Sequence, residues 1–163
     1  MDLYVFDKRL RLIFLDAIER IEIALRVDVA LLLGKRSRDA HRNPAEFNLV
    51  FGSQQDSGGR TAHDKWLDRR DESFRRSQEE FVKHFKVKYR GEYPPIWIAI
   101  ELWDFGTLSF VLDGLKLADQ TKLADKYGLR PVLLTSFVRN LNNIRNICAH
   151  HSRLWNKSPA DIT

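Results

Sequence analysis

"LYVFDKRLRLIFLDAIERIEIALRVDVALLLG", residues 3–34, decides the fold class of this chain. Leu3, Phe6, Leu10, Ile13, Ala17, Ala24, Val27 and Leu31 recur at helical spacing, with Arg20 the one polar interruption. Phe14, Ile18, Ile21, Leu25, Val29 and Leu32 form a second stripe beside the first. Apolar residues three and four apart share one side of a helix, so the two stripes predict one long helix with a broad apolar face, stopping near Gly34. The remaining face carries Lys8, Arg11, Glu19, Glu22 and Arg26, and Glu22 and Arg26 are spaced for an i,i+4 ion pair.

Working outward, no strand-like alternation or hairpin turn follows, and the fold is expected to be all-α, a bundle of about five helices in a single domain, 1–163. A stretch from 36 to 60 is polar and irregular, and "GSQQDSGG" (52–59) is expected to be a flexible loop tip. A helix from about Ala62 to Tyr89 follows, with Trp66, Phe74, Phe81 and Phe85 as its buried stripe. Pro94-Pro95 opens a nearly apolar helix in which Glu101 needs a cationic or hydrogen-bonding partner, or a raised pKa. Gly106 marks a break before a helix from Leu108 to about Leu117. A short helix stops at Gly128, and Pro131 starts the last one, which is expected to run to about Asn156.

With 163 residues and 44% hydrophobic content, the chain can bury one substantial core. Its single cysteine, Cys148, excludes an internal disulfide framework. No apolar run approaches the roughly 20 residues that span a bilayer, and no secretion signal stands at the start, so a soluble cytoplasmic protein without membrane contact is expected. A glycine-rich phosphate loop and zinc spacing are missing, which leads us to expect no cofactor and no metal. The net charge is +5, and Arg60 to Arg90 holds ten Lys/Arg against six Asp/Glu. That segment is either a solvated helix face laced with ion pairs or a surface that tracks phosphates.

The last helix concentrates the chemistry. In "RNICAHHSRLWN" (145–156), Asn142, Asn146 and His150 form an i,i+4,i+8 row, flanked by Arg145 and Arg153 around the small Ala149. Phe137, Leu141, Ile144, Ile147, Cys148, His151, Leu154 and Trp155 fall on the opposite, apolar side. Histidine can take a proton from a 2′-hydroxyl or return one to a leaving 5′-oxygen. Arginine can grip the phosphate through two parallel hydrogen bonds, and asparagine can orient either group. One imidazole cannot be base and acid at once, and a two-fold dimer would supply a second. The bland reading stands beside this one. A polar dimer seam uses the same residue types, and on this reading Arg153 serves only the carbonyl end of the helix and His151 and Cys148 are packing.

"IRNICAHHSRLWN" resembles the C-terminal signature of the Abi-like abortive-infection proteins, a group within the HEPN superfamily of helical domains. That signature is an arginine, followed by a polar residue, four to six positions before a histidine. Arg145-Asn146-Ile147-Cys148-Ala149-His150 matches it, and Phe6–Arg26, Pro94–Val111 and "LADKYGL" appear in the family's order. The resemblance implies a HEPN-like fold and a metal-independent endoribonuclease toxin of phage defence, binding and cleaving RNA where two protomers join their helices. Arg145 and His150 carry over as catalytic residues, and Asn146 as the polar residue after the arginine. Asn142, Arg153, Glu101 and Arg26 are supporting candidates without a transferred role. The resemblance also allows for an antitoxin or regulatory protein as partner. Two departures accompany it: the chain begins almost at the first long helix, without the family's Tyr- and Gly-rich segment, and it ends soon after the signature, at "NKSPADIT". The rival expectation is a non-catalytic helical module for dimerisation or partner docking.

Overall fold

The Asp2 carboxylate accepts the Tyr4 amide and starts α1, which continues without interruption over Leu3–Gly34. The computed structural model describes residues 2–157, and the terminal residues from 158 on, with most of "NKSPADIT", lie outside it. All regular elements among the described residues are helical. α1 buries its second stripe, Ile18, Leu25 and Val29, together with Leu33. The first stripe stays largely in solvent, with Ile13 66%, Val27 52% and Leu31 55% exposed. Gly34 closes the helix for a packing reason, since a Cβ there would stand 3.3 Å from Ile96.

The segment expected as an irregular loop is folded over most of its inner part. Two 3-10 turns, Ala40–Arg42 and Pro44–Glu46, lead into the short α2, Leu49–Gly52. Asn48 staples this stretch to the core. Its backbone N–H donates to the Gly114 carbonyl at 2.8 Å, its amide donates to the Asp113 carbonyl at 3.0 Å, and its side-chain oxygen caps the Phe51 N–H at 2.9 Å. Phe47 and Phe51 are buried as a result. Residues 53–60 are exposed, as the notional loop tip requires, but ordered around Asp56, whose carboxylate accepts the Gly58 and Arg60 amides.

A capping box between Thr61 and Asp64 starts α3, Ala62–Arg76. The single helix expected to Tyr89 breaks at Ser77–Glu79 and resumes as α4, Glu80–Lys88. Lys86 bridges the break by donating to the Arg75 carbonyl at 2.9 Å. The break turns Phe81 outward, while Trp66 and Phe85 stay buried. α5 is only Ile96–Ala99, followed by a 3-10 turn at Ile100–Leu102. α6 begins at Phe105 rather than Leu108 and ends at Gly114, because Asp104 caps it by accepting the Thr107 N–H at 2.7 Å. Gly106 therefore lies inside the first turn. α7 (Leu117–Lys126) ends two residues before Gly128, whose φ of +64° suits a residue without a Cβ. α8 (Pro131–Ala149) packs across α1, α6 and α7 and closes the bundle.

The end of α8 differs from expectation. The helix stops at Ala149, with His150 as its C-cap and His151 in the left-handed region at φ +57°. His151, Leu154 and Trp155 thus leave the apolar helix side assigned to them. The cause is tertiary. The buried Asp7 accepts the backbone N–H of Leu154 at 2.9 Å and of Trp155 at 2.7 Å, and pairs with Arg11. Phe6 meets the Trp155 ring edge-on at 5.0 Å. These contacts bend the chain away from the helix axis onto the first turns of α1.

Candidate functional site

Arg145 sits half-buried on α8, where the charges of Glu22 on α1 and Asp104 at the start of α6 both feel its guanidinium. Its Nη1 donates to the Asn146 side-chain oxygen at 3.3 Å. Burial pushes the Glu22 carboxyl above its ordinary value, against the pull of Arg26 and Arg145. Burial also acts to raise Asp104, but the Thr107 hydroxyl and N–H, then Arg70 and Arg145, hold it below the usual carboxylate range.

Arg26 belongs to the same cluster. Its Nη2 donates to Glu22 at 2.7 Å and to the Trp103 carbonyl at 2.9 Å, and Nη1 stands 3.7 Å from Glu101. Glu101 is exposed at the 3-10 turn, so the apolar company that made it anomalous in the sequence does not surround it. Arg70, whose pKa burial pushes down, donates to the Thr107 hydroxyl at 3.1 Å and extends the cluster toward α3. Asn142 is half-buried, and its amide would lie 3.5 Å from a Cβ at Gly106.

His150 stands just beyond this cluster, exposed at the end of α8, with its backbone N–H on the Asn146 carbonyl at 3.0 Å. The structure therefore brings together Arg145, Asn146, Asn142, Arg26 and Glu101, with His150 at their open end. Arg153 goes elsewhere. It lies on the bent segment after the helix, where its charge is felt by Asp7. Cys148 is buried and its thiol is pushed up by burial, which keeps it protonated.

Sequence reasoning missed Asp7, which holds the segment after α8, put Arg11 on the polar face of α1 where the structure buries it, and missed Asp104 and Arg70, which flank the site. A signal for the first pair existed: Asp7 and Arg11 lie four apart along one side of α1, and the structure puts both on the buried side. Asp104 followed three residues later by Thr107 was a readable helix start. The basic stretch 60–90 is not one track, since the break at Ser77–Glu79 separates the cations of α3 from those of α4.

Chemically, the cluster offers a held guanidinium, neutral amides and an imidazole in water. That set can bind a phosphate and move a proton beside it. Among the described residues, no group of three or more His, Cys, Asp or Glu is placed to hold a metal ion, and no helix is long and apolar enough to cross a membrane. A family model described as Abi-like protein matches residues 1–156. No curated protein and no solved structure matches the chain.

Proposed function

Because the chain belongs to the Abi-like family, the proteins of abortive infection in phage defence, we propose that it is a metal-independent endoribonuclease of the HEPN type, acting in the cytoplasm. The observation that carries this reading is the pairing of a held arginine with an open histidine. Arg145 donates to Asn146 within reach of the charges of Glu22 and Asp104, while His150 is exposed at the helix end.

In the proposed reaction the 2′-oxygen of the substrate ribose attacks the adjacent phosphorus. The bond from phosphorus to the 5′-oxygen breaks, leaving a 2′,3′-cyclic phosphate and a 5′-hydroxyl. Arg145 holds the non-bridging oxygens and stabilises the charge that grows on them. Asn146 keeps that guanidinium oriented. His150 takes the 2′-hydroxyl proton, and a second His150 from a paired copy delivers one to the leaving oxygen. The exposed first stripe of α1 supports pairing, since a row of uncovered apolar side chains on one helix is costly to leave in water. The same stripe would serve a non-catalytic docking module, and one assay separates the two.

That assay is cleavage of a mixed RNA pool in EDTA by the wild type and by His150→Ala, with oligomeric state checked by sedimentation. Cutting by the wild type that falls about 10²–10⁴-fold in the variant is the expected result. Equal cutting by both removes His150 from the site, and no cutting by either favours the docking module.

A further inference from the structure

A cleft of about 570 Å³ opens between α3, residues 53–60 and the first turns of α6. Ligand sites commonly span roughly 300–1,000 Å³, so it has room for a nucleotide and part of its neighbour. Arg60, Lys65, Arg69 and Arg70 line it, Lys65 paired with Asp56 on the same wall and Arg60 with Asp68. A cationic groove alone would accept any polyanion. This one also holds an aromatic ring: Phe110 is 48% exposed on its wall, braced edge-on by Phe51 at 5.2 Å. The amides of Gln54 and Gln55 stand at the same wall and carry both donors and acceptors.

The cleft adjoins α8 at Gly106. Arg70 and Thr107 form its inner wall and are hydrogen-bonded to each other. Gly106, also on that wall, leaves the Asn142 amide 3.5 Å from where its Cβ would be. Asn142 lies one turn before Asn146 on α8. The cleft and the polar face of α8 therefore meet where the Asn142 side chain packs on Gly106.

We propose that the cleft is the subsite for nucleotides flanking the scissile bond of a single-stranded RNA, an assignment that rests on the ribonuclease reading above. Phe110 stacks a base, Arg69 holds the adjoining phosphate, and the glutamine amides reach the base edge. Single strands fit because only an unstacked base offers its face to a side-chain ring. Gly106 is where the two sites meet, and a side chain there would press on the Asn142 amide.

The test is binding of a fluorescent ten-nucleotide single-stranded RNA with every 2′-hydroxyl methylated, measured by anisotropy on the full chain. Phe110→Ala is expected to weaken binding about 5–100-fold. Arg69→Ala is expected to weaken it and to reduce the salt slope by about 0.7, one phosphate's worth on a single strand. Both side chains are exposed, so thermal midpoints close to the wild type verify that the variants fold. An abasic oligonucleotide of the same length must be indifferent to Phe110→Ala, or the ring is not a stacking platform. Unchanged affinity in both variants overturns the cleft, as does a wild type that does not bind the probe or binds a duplex of equal length as well. The probe cannot be cut, so binding and cleavage fail separately. Loss of binding on Phe110→Ala in a chain that never cuts RNA keeps the cleft and removes the active site. Cutting that depends on His150 in a chain whose probe binding ignores both variants keeps the active site and removes the cleft.

Discussion

Two pairs of histidines, at opposite ends of the chain's chemistry, have opposite surroundings. His41 and His63 are 2% and 1% exposed, set among Phe47, Phe51, Trp66 and Trp103. His63 Nε2 lies 3.0 Å from the His41 carbonyl, and a carbonyl only accepts, so this nitrogen carries the proton. Burial, then the Arg42 charge, lowers the His41 pKa to about 4, and burial lowers that of His63. His150 and His151 sit in water at the end of a helix, where a ring can meet a substrate. Residue type alone does not assign a role; the first pair is aromatic filling that must stay neutral, and the second is available for proton transfer.

The sharpest way to break this contrast is to hollow out the aromatic region. Trp66→Ala is expected to cost about 3–5 kcal/mol in denaturant unfolding, since the ring is buried against four aromatic neighbours. Acid tests the same region without a mutation. Below its unfolded pKa of 6.5, His41 takes up a proton in the unfolded chain but not in the folded one until about 4. Stability is therefore full above pH 6.5 and falls as the pH drops toward 4, by about 3 kcal/mol from this group. His41→Gln should flatten that slope in a pH series of melts. The comparison also removes the contribution of Glu22, whose raised carboxyl acts in the opposite sense.

On the other side of the contrast, effects on stability are expected to be small or local. Asp7→Asn weakens the hold on residues 154–155, and faster amide exchange there, with little change across α3 and α6, is the expected readout by mass spectrometry. His150→Ala is expected to shift unfolding by no more than about 0.5 kcal/mol, because an exposed ring packs against little. If it destabilised the fold as Trp66→Ala does, His150 would belong with the first pair.

The sequence made the long elements legible because their pattern is local. The 3.6-residue period of α1 and α8, Pro131 at a start and Gly128 after an end all act within a turn or two. It did not show which stripe of α1 faces inward, since both are apolar and only the partners on α5, α6 and α8 choose between them. The segment 40–52 has no period to read; its order comes from Asn48 reaching Gly114 and Asp113, more than 60 positions away. Within the site, sorting α8 by direction put Arg145, Asn146 and Asn142 on one face, and the structure keeps all three half-buried on that helix. Arg153 was misplaced because nothing within one helical turn announces the stop at Ala149. The contacts that impose it come from Asp7.

The Asp7 contact also has a consequence in time. Its carboxylate grips amides 147 and 148 positions away, so the loop it closes takes in nearly all the described chain. Closing a loop of that length is entropically expensive until α1 and α8 have already docked. The contact therefore forms late in assembly and is among the first to open when the folded molecule fluctuates. How long residues 154 and 155 stay on α1 is then set by the lifetime of two hydrogen bonds to a single carboxylate.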